Sequence, residues 1–227
     1  MTITWFGHCC FLLDFNDSII LTDPYDDFLG IAVGKIPADM MTISSIWHDH
    51  GNIATSPQSH IYAYEGTDEK KGITITGIKS KESRGSSNII FNIVYGNLSI
   101  TNFADWGEPA SIELFTKEEM SVFEKTNIAF VRANAIDDSE TQFFYDLALK
   151  VCHPELLIPC HYYPKSFIER SLPPNQRQGY SRKITQIEKM IKRGDFKRLE
   201  IHGYKFTPDM KNTEVLRPRI LVQEEEI

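Results

Sequence analysis

The first half of the chain is a succession of short apolar runs of β type, and this pattern restricts the fold most. Residues 2–6, 11–15 and 18–22 are dense in Ile, Leu, Phe and Trp, and 41–47, 59–64, 73–78, 88–94 and 98–103 continue the series. Asn16-Asp17 and Gly96-Asn97 supply turn chemistry between neighbouring runs and predict two hairpins. Most runs are apolar on both faces rather than alternating, so their sheets must be covered on both sides.

Helical signals come later. Thr116-Lys117-Glu118-Glu119 has the form of a capping box and predicts a short helix. Ser139-Glu140-Thr141-Gln142 has the same form; its helix carries Phe143, Leu147 and Val151 inward and stops before Pro154. Ile184, Ile187, Met190 and Ile191 recur at helical spacing, and Gly194 follows as a C-terminal cap. Between these helices, 128–131 and 156–160 read as buried strands. Residues 171–179 read as a loop, and the acidic tail 224–227 as a frayed end. Strands first, then alternating helices and strands, predict an α/β layered fold with a mainly antiparallel sheet on one side. One domain over residues 1–227 is expected, with fewer motifs beyond about 165.

Composition narrows the function classes. Asp and Glu number 31 against 24 Lys and Arg, a net charge of −7. A surface of that sign repels nucleic-acid backbones and anionic lipid, while leaving room for a small anionic substrate in a local basic pocket. No apolar run approaches the length of a membrane span. Cys9, Cys10, Cys152 and Cys160 form no CxxC pair, and no export signal opens the sequence, so reduced thiols and a cytoplasmic setting are expected.

The chemistry gathers at the ends of apolar runs. His48 and His50 follow the run 41–47. At i and i+2 of a strand end they point to one side, either opening a metal site or sitting in a polar loop. Asp105 follows 98–103, and His161 follows 156–160. Asp23 and His8 fit the same pattern of a polar residue held at a strand end. His60, His153 and His202 read as structural or exposed. Cys9, Cys10 and Cys160 read as packing residues, with Cys160 a soft-ligand alternative beside His161. Arg132 either binds an anionic substrate or forms a surface salt bridge; Lys79, Lys81 and Arg84 either form a basic rim or are solvated loop charges.

In order and spacing these segments resemble the metallo-β-lactamase-fold superfamily, and within it the group similar to L-ascorbate-6-phosphate lactonase and small metal-dependent hydrolases. The resemblance rests on Ile3-Thr4-Trp5-Phe6-Gly7-His8-Cys9-Cys10-Phe11, Ile20-Leu21-Thr22-Asp23-Pro24-Tyr25 and His48-Asp49-His50. It continues through Arg84-Gly85-Ser86-Ser87-Asn88, Asn102-Phe103-Ala104-Asp105 and Ile158-Pro159-Cys160-His161-Tyr162. It implies a four-layer αββα sandwich with a site for two metals at one edge of the sheets. The family's ligand motif HxHxDH, followed by a His, a bridging Asp and a last His, places His48, His50, Asp105 and His161 as metal ligands. Asn52, Ile53 and Asn102 then stand where the family has Asp, His and His.

Ile53 has no donor atom, and an amide oxygen such as that of Asn102 is a weak ligand for zinc. The expectation is one divalent ion, Zn before Mn or Fe, or none. Asp105 and Asp49 are the candidate catalytic carboxylates. The function expected from the resemblance is single-metal hydrolysis of a small phosphorylated or lactone-like substrate. The alternative is a metal-poor relative that binds ligands or serves as a scaffold without hydrolysis.

Overall fold

The structure, a computed structural model, describes residues 1–27, 33–82, 85–133, 147–162, 168–169, 172–175, 177–179, 181, 197–199, 204–205 and 219–221. The helix start at Ser139, the helical pattern to Arg193 with its Gly194 cap, Arg84, His202 and the tail 224–227 lie outside these residues.

The first sheet takes β1 (Thr2–Trp5), β2 (Phe11–Asp14), β3 (Ile19–Thr22), β4 (Met40–Thr42) and β5 (His60–Tyr62), with β13 (Tyr204–Lys205) on its far edge. β1, β2 and β3 run antiparallel, and β4 and β5 join parallel to β3. The second sheet has the order β12-β14-β11-β10-β9-β8-β7-β6. Its members are β6 (Gly66–Lys70), β7 (Ile73–Lys81), β8 (Ser87–Tyr95), β9 (Leu98–Asn102), β10 (Ile128–Arg132), β11 (Leu156–Cys160), β12 (Lys197–Leu199) and β14 (Arg219–Leu221). The β6–β9 half is antiparallel, and β9, β10 and β11 are parallel. Both sheets are therefore mixed, where the sequence pattern predicted a mainly antiparallel one. Parallel strands need long crossovers, and a reading of the strands alone does not reveal how they pair.

Both anticipated hairpins form, with Asn16 and Gly96 in the left-handed region at φ 72° and 58°. The run 41–47 does not stay extended: β4 ends at Thr42, and β6 adds a strand the pattern did not mark. The capping box closes as expected. Thr116 Oγ1 accepts from Glu119 N, and Glu119 Oε2 accepts from Thr116 N, starting α1 (Lys117–Phe123). Residues 147–151 are helical, with Leu147 and Val151 buried. No helix among the described residues is long and apolar enough to cross a membrane.

Alternation along the first sheet builds two apolar layers. Ile3, Trp5, Phe11, Leu13, Ile20 and Met40 face the second sheet in the main core. Leu21, Met41 and Ile43 pack on the other side with Tyr25, Ile168 and Leu172. β9, β10 and β11 are buried at every position, as strands covered on both faces must be.

One close approach gives a direct test. A Cβ on Gly77 would stand 2.2 Å from the Tyr64 main-chain oxygen. Backbone cannot yield as a side chain does, so Gly77→Ala is expected to lower stability by about 1–3 kcal/mol. Thermal unfolding should show a midpoint drop of several degrees; an unchanged midpoint would contradict this packing.

Candidate metal centre

The loops that follow β3, β4, β9 and β11, together with the β1–β2 turn, converge on one edge of the paired sheets. Four of the six positive-φ non-glycine residues among those described lie here: His8 at 54°, Asp23 at 40°, Ala104 at 50° and His161 at 65°. Such backbone is held in place by its surroundings and marks functional edges. Those surroundings are cross-sheet bonds. His8 N donates to Tyr162 O (2.7 Å), His161 N to His8 O (2.9 Å) and Ile89 N to Ser44 O (2.9 Å). Asn102 Nδ2 donates to Asp23 Oδ2 at 2.9 Å.

At this edge His8, Asp49, His50 and His161 each present one ligand atom, and these atoms lie within 4.8 Å of one another. In a tetrahedral zinc site with bonds of about 2.1 Å, neighbouring ligand atoms stand roughly 3.4 Å apart, so modest side-chain shifts close the group on an ion. Three imidazoles and a carboxylate are a donor set for Zn²⁺ or Fe²⁺. His50 carries the clearest sign. Its Nδ1 lies 3.3 Å from Ser44 Oγ and 3.8 Å from Asp23 Oδ1, while its buried Nε2 has no hydrogen-bond partner. A ring fixed through one nitrogen and left open at the other has the geometry of a metal-ligating histidine with its outer partners.

Asp23 is fully buried and gains its support from the same neighbours: Ser44 N donates to its Oδ1 at 2.7 Å. Burial opposes a charge on His50 most strongly; the Cys9 sulfur, then the Asp23 and Asp49 carboxylates, outweigh it and hold His50 up at about 10. Burial first, then the Cys160 thiol 3.7 Å away, pushes the Cys9 thiol well above its ordinary value.

His50 and His161 come together, and His8 and Asp49 join them. His48 is exposed, lies outside the group, and its carbonyl accepts from Asp26 N. His48 and His50 do not follow one another along a strand, because the chain turns here: His50 N and Gly51 N both bond Trp47 O. Strand periodicity ends where the strand does. Asp105 Oδ1 lies 3.6 Å from His161 Nε2 and also accepts from Arg132 Nη1. Arg132 is buried, so it is neither a surface pair nor an open anion site. Asn102 Oδ1 accepts from Ala104 N, Asn52 Nδ2 donates to Tyr25 O, and Ile53 is exposed. Cys160 stays with Cys9 in the core, Lys79 and Lys81 are exposed, and Lys81 pairs with Glu108.

One residue had no place in the sequence reading of the site, and another changes its role. Glu82 accepts from Ser45 Oγ at 2.9 Å, and its carboxyl is raised by burial first and by Asp105 nearby. His8, read only as a polar residue held at a strand end, stands in the donor group; its signal was the Gly7-His8 turn between two apolar runs.

Residues 2–161 match the family described as beta-lactamase superfamily domain. A crystal structure of a putative Zn-dependent hydrolase of the metallo-β-lactamase superfamily from Thermotoga maritima is similar over 98% of this chain and 97% of its own. Its TM-score is 0.65 and its identity 21%. A possible metal-dependent hydrolase from Veillonella parvula matches over 86% and 93%, with TM-score 0.56 and 10% identity. An isothiocyanate hydrolase from Delia radicum gut bacteria matches over 91% and 99%, with TM-score 0.54 and 12% identity. No curated protein matches the chain.

Proposed function

The chain belongs to the beta-lactamase superfamily domain family, and from that membership we propose that it is a one-ion hydrolase of a small phosphorylated or lactone-like substrate. The observation that carries this reading is the group His8, Asp49, His50 and His161, with His50 Nε2 buried and unbonded. These four residues would hold the ion. A divalent ion there supplies the Lewis acidity that makes a water nucleophilic near neutral pH. Zinc suits the donor set best, with Fe or Mn as alternatives.

On this reading the HxHxDH motif ends on the adjacent pair Asp49-His50. Its first two histidine positions then fall on Ser45 and Trp47, which offer no imidazole. The protein's own residues set the rest. Asp49 keeps 31% of its side chain accessible and meets the substrate side. Ile46 and Trp47, 94% and 52% exposed on the same turn, give the mouth an apolar rim for a substrate's carbon skeleton. The ordered contacts behind His50, through Ser44 and Asp23, keep its ring aimed at the group.

The second reading, a ligand-binding relative without hydrolysis, is favoured by the ion pair that engages Asp105. The two part on one experiment. Protein purified without chelator should carry close to one equivalent of Zn, Fe or Mn and turn over a member of a phosphodiester and lactone panel. Ion content below about a tenth of an equivalent, as for a site too weak to survive purification, with no turnover on either panel, would overturn hydrolysis.

A further inference from the structure

Arg132 ends β10 and is 6% exposed. Its Nη1 donates to the Asp105 carbonyl at 3.0 Å and also to Asp105 Oδ1. That same Oδ1 lies 3.6 Å from His161 Nε2. One carboxylate oxygen thus faces a buried guanidinium on one side and a ring of the donor group on the other. A guanidinium stays charged at any ordinary pH and holds its donors in a fixed fork, so this is a permanent positive charge at a fixed place.

We propose that Arg132 is a built-in counter-charge for Asp105, occupying the side of that carboxylate where a second cation would otherwise bind. This rests on the reading of the four-donor group as an ion site. Charge fixes the capacity. The donor group brings one negative charge, from Asp49, the buried Asp23 carboxylate behind His50 adds a second, and the charge of Asp105 is matched by Arg132. One divalent ion therefore neutralises the site, and a second would sit against the guanidinium. Arg132 is therefore a positioning residue that sets how many ions the site takes.

Removing the guanidinium should open that side of Asp105. A site of carboxylate and hydroxyl oxygens from Asp105, Glu82 and Ser45 suits a hard cation at roughly 0.1–1 mM. The test is Mn²⁺ titration of the metal-stripped full chain, followed by calorimetry and by the electron paramagnetic resonance signal of free Mn²⁺. Wild type and Arg132→Lys should bind one equivalent, and Arg132→Gln should gain a second, weaker one, with near-ultraviolet circular dichroism reporting that it is folded. One equivalent in folded Arg132→Gln, or two in wild type, would overturn the counter-charge while leaving the ion site standing. No binding by wild type would overturn both. The wild-type stoichiometry decides alone where Arg132→Gln fails to fold.

Discussion

His50→Ala is expected to strip the site of its ion, while His48→Ala leaves ion content and turnover as they are. The contrast is sharp because the two side chains, two positions apart, have opposite surroundings. His50 is buried, held at Nδ1 by Ser44 and Asp23, and open at Nε2; His48 is exposed and outside the donor group. Loss of an outer partner of a metal ligand weakens binding by about 10–100-fold, and loss of the ligand itself should exceed that. Metal analysis after gel filtration reads the result directly, and equal losses in the two variants would show that the turn is arranged otherwise. Affinity should also depend on pH in a definite sense. Burial opposes a charge on His50, but the Cys9 sulfur and the Asp23 and Asp49 carboxylates hold it above the ordinary histidine range, so binding an ion must expel a proton from it. Affinity then goes on rising with pH past the ordinary histidine value of about 6.5, by up to tenfold per unit. A plateau from pH 7 upward would place the proton elsewhere.

The same turn shows what the sequence could and could not reveal. The runs that became β1, β2, β3, β8, β9, β10 and β11 were legible because strand apolarity is a local property, and the capping box at Thr116 is equally local. The site edge was legible as a set of polar residues after apolar runs. What failed was the extension of strand period through 41–47. β4 stops at Thr42, and the backbone then folds so tightly that Gly51 N and His50 N share the Trp47 carbonyl. A Cβ on Gly51 would lie 3.2 Å from that oxygen, so the turn is compact in a way that only the absence of a side chain signals. With the period lost, the HxH spacing drew attention from the adjacent Asp49-His50. Arg132 and Glu82 were obscured for a different reason. Their partners, Asp105 and Ser45, are 27 and 37 positions away, and such pairings are set by tertiary packing, not by spacing.

The largest effect on stability is expected from Phe130→Ala. Phe130 on β10 and Phe11 on β2 stack across the two sheets with centroids 4.2 Å apart and planes 5° from parallel. Both rings are buried in the main core. Truncation removes the ring's burial and leaves a void between sheets whose backbones are fixed by their own ladders, so collapse is limited. The expected loss is about 3–5 kcal/mol, a large part of a typical total of 5–15 kcal/mol. Urea unfolding should show the midpoint falling with little change in slope. Phe130→Leu keeps more of the volume and should cost less, which separates the cavity from any special value of the stack. The consequence reaches the site, because Phe11 stacks in turn near Trp5 at 6.4 Å, and Trp5 packs on Tyr162 at 4.7 Å and donates from its indole to the His8 carbonyl. His8 and the neighbour of Tyr162, His161, are both in the donor group. Phe130→Ala should therefore weaken ion binding in protein that is still folded, measured well below its unfolding midpoint. A destabilised variant that bound its ion with undiminished affinity would show that the aromatic ladder supports the sheets alone.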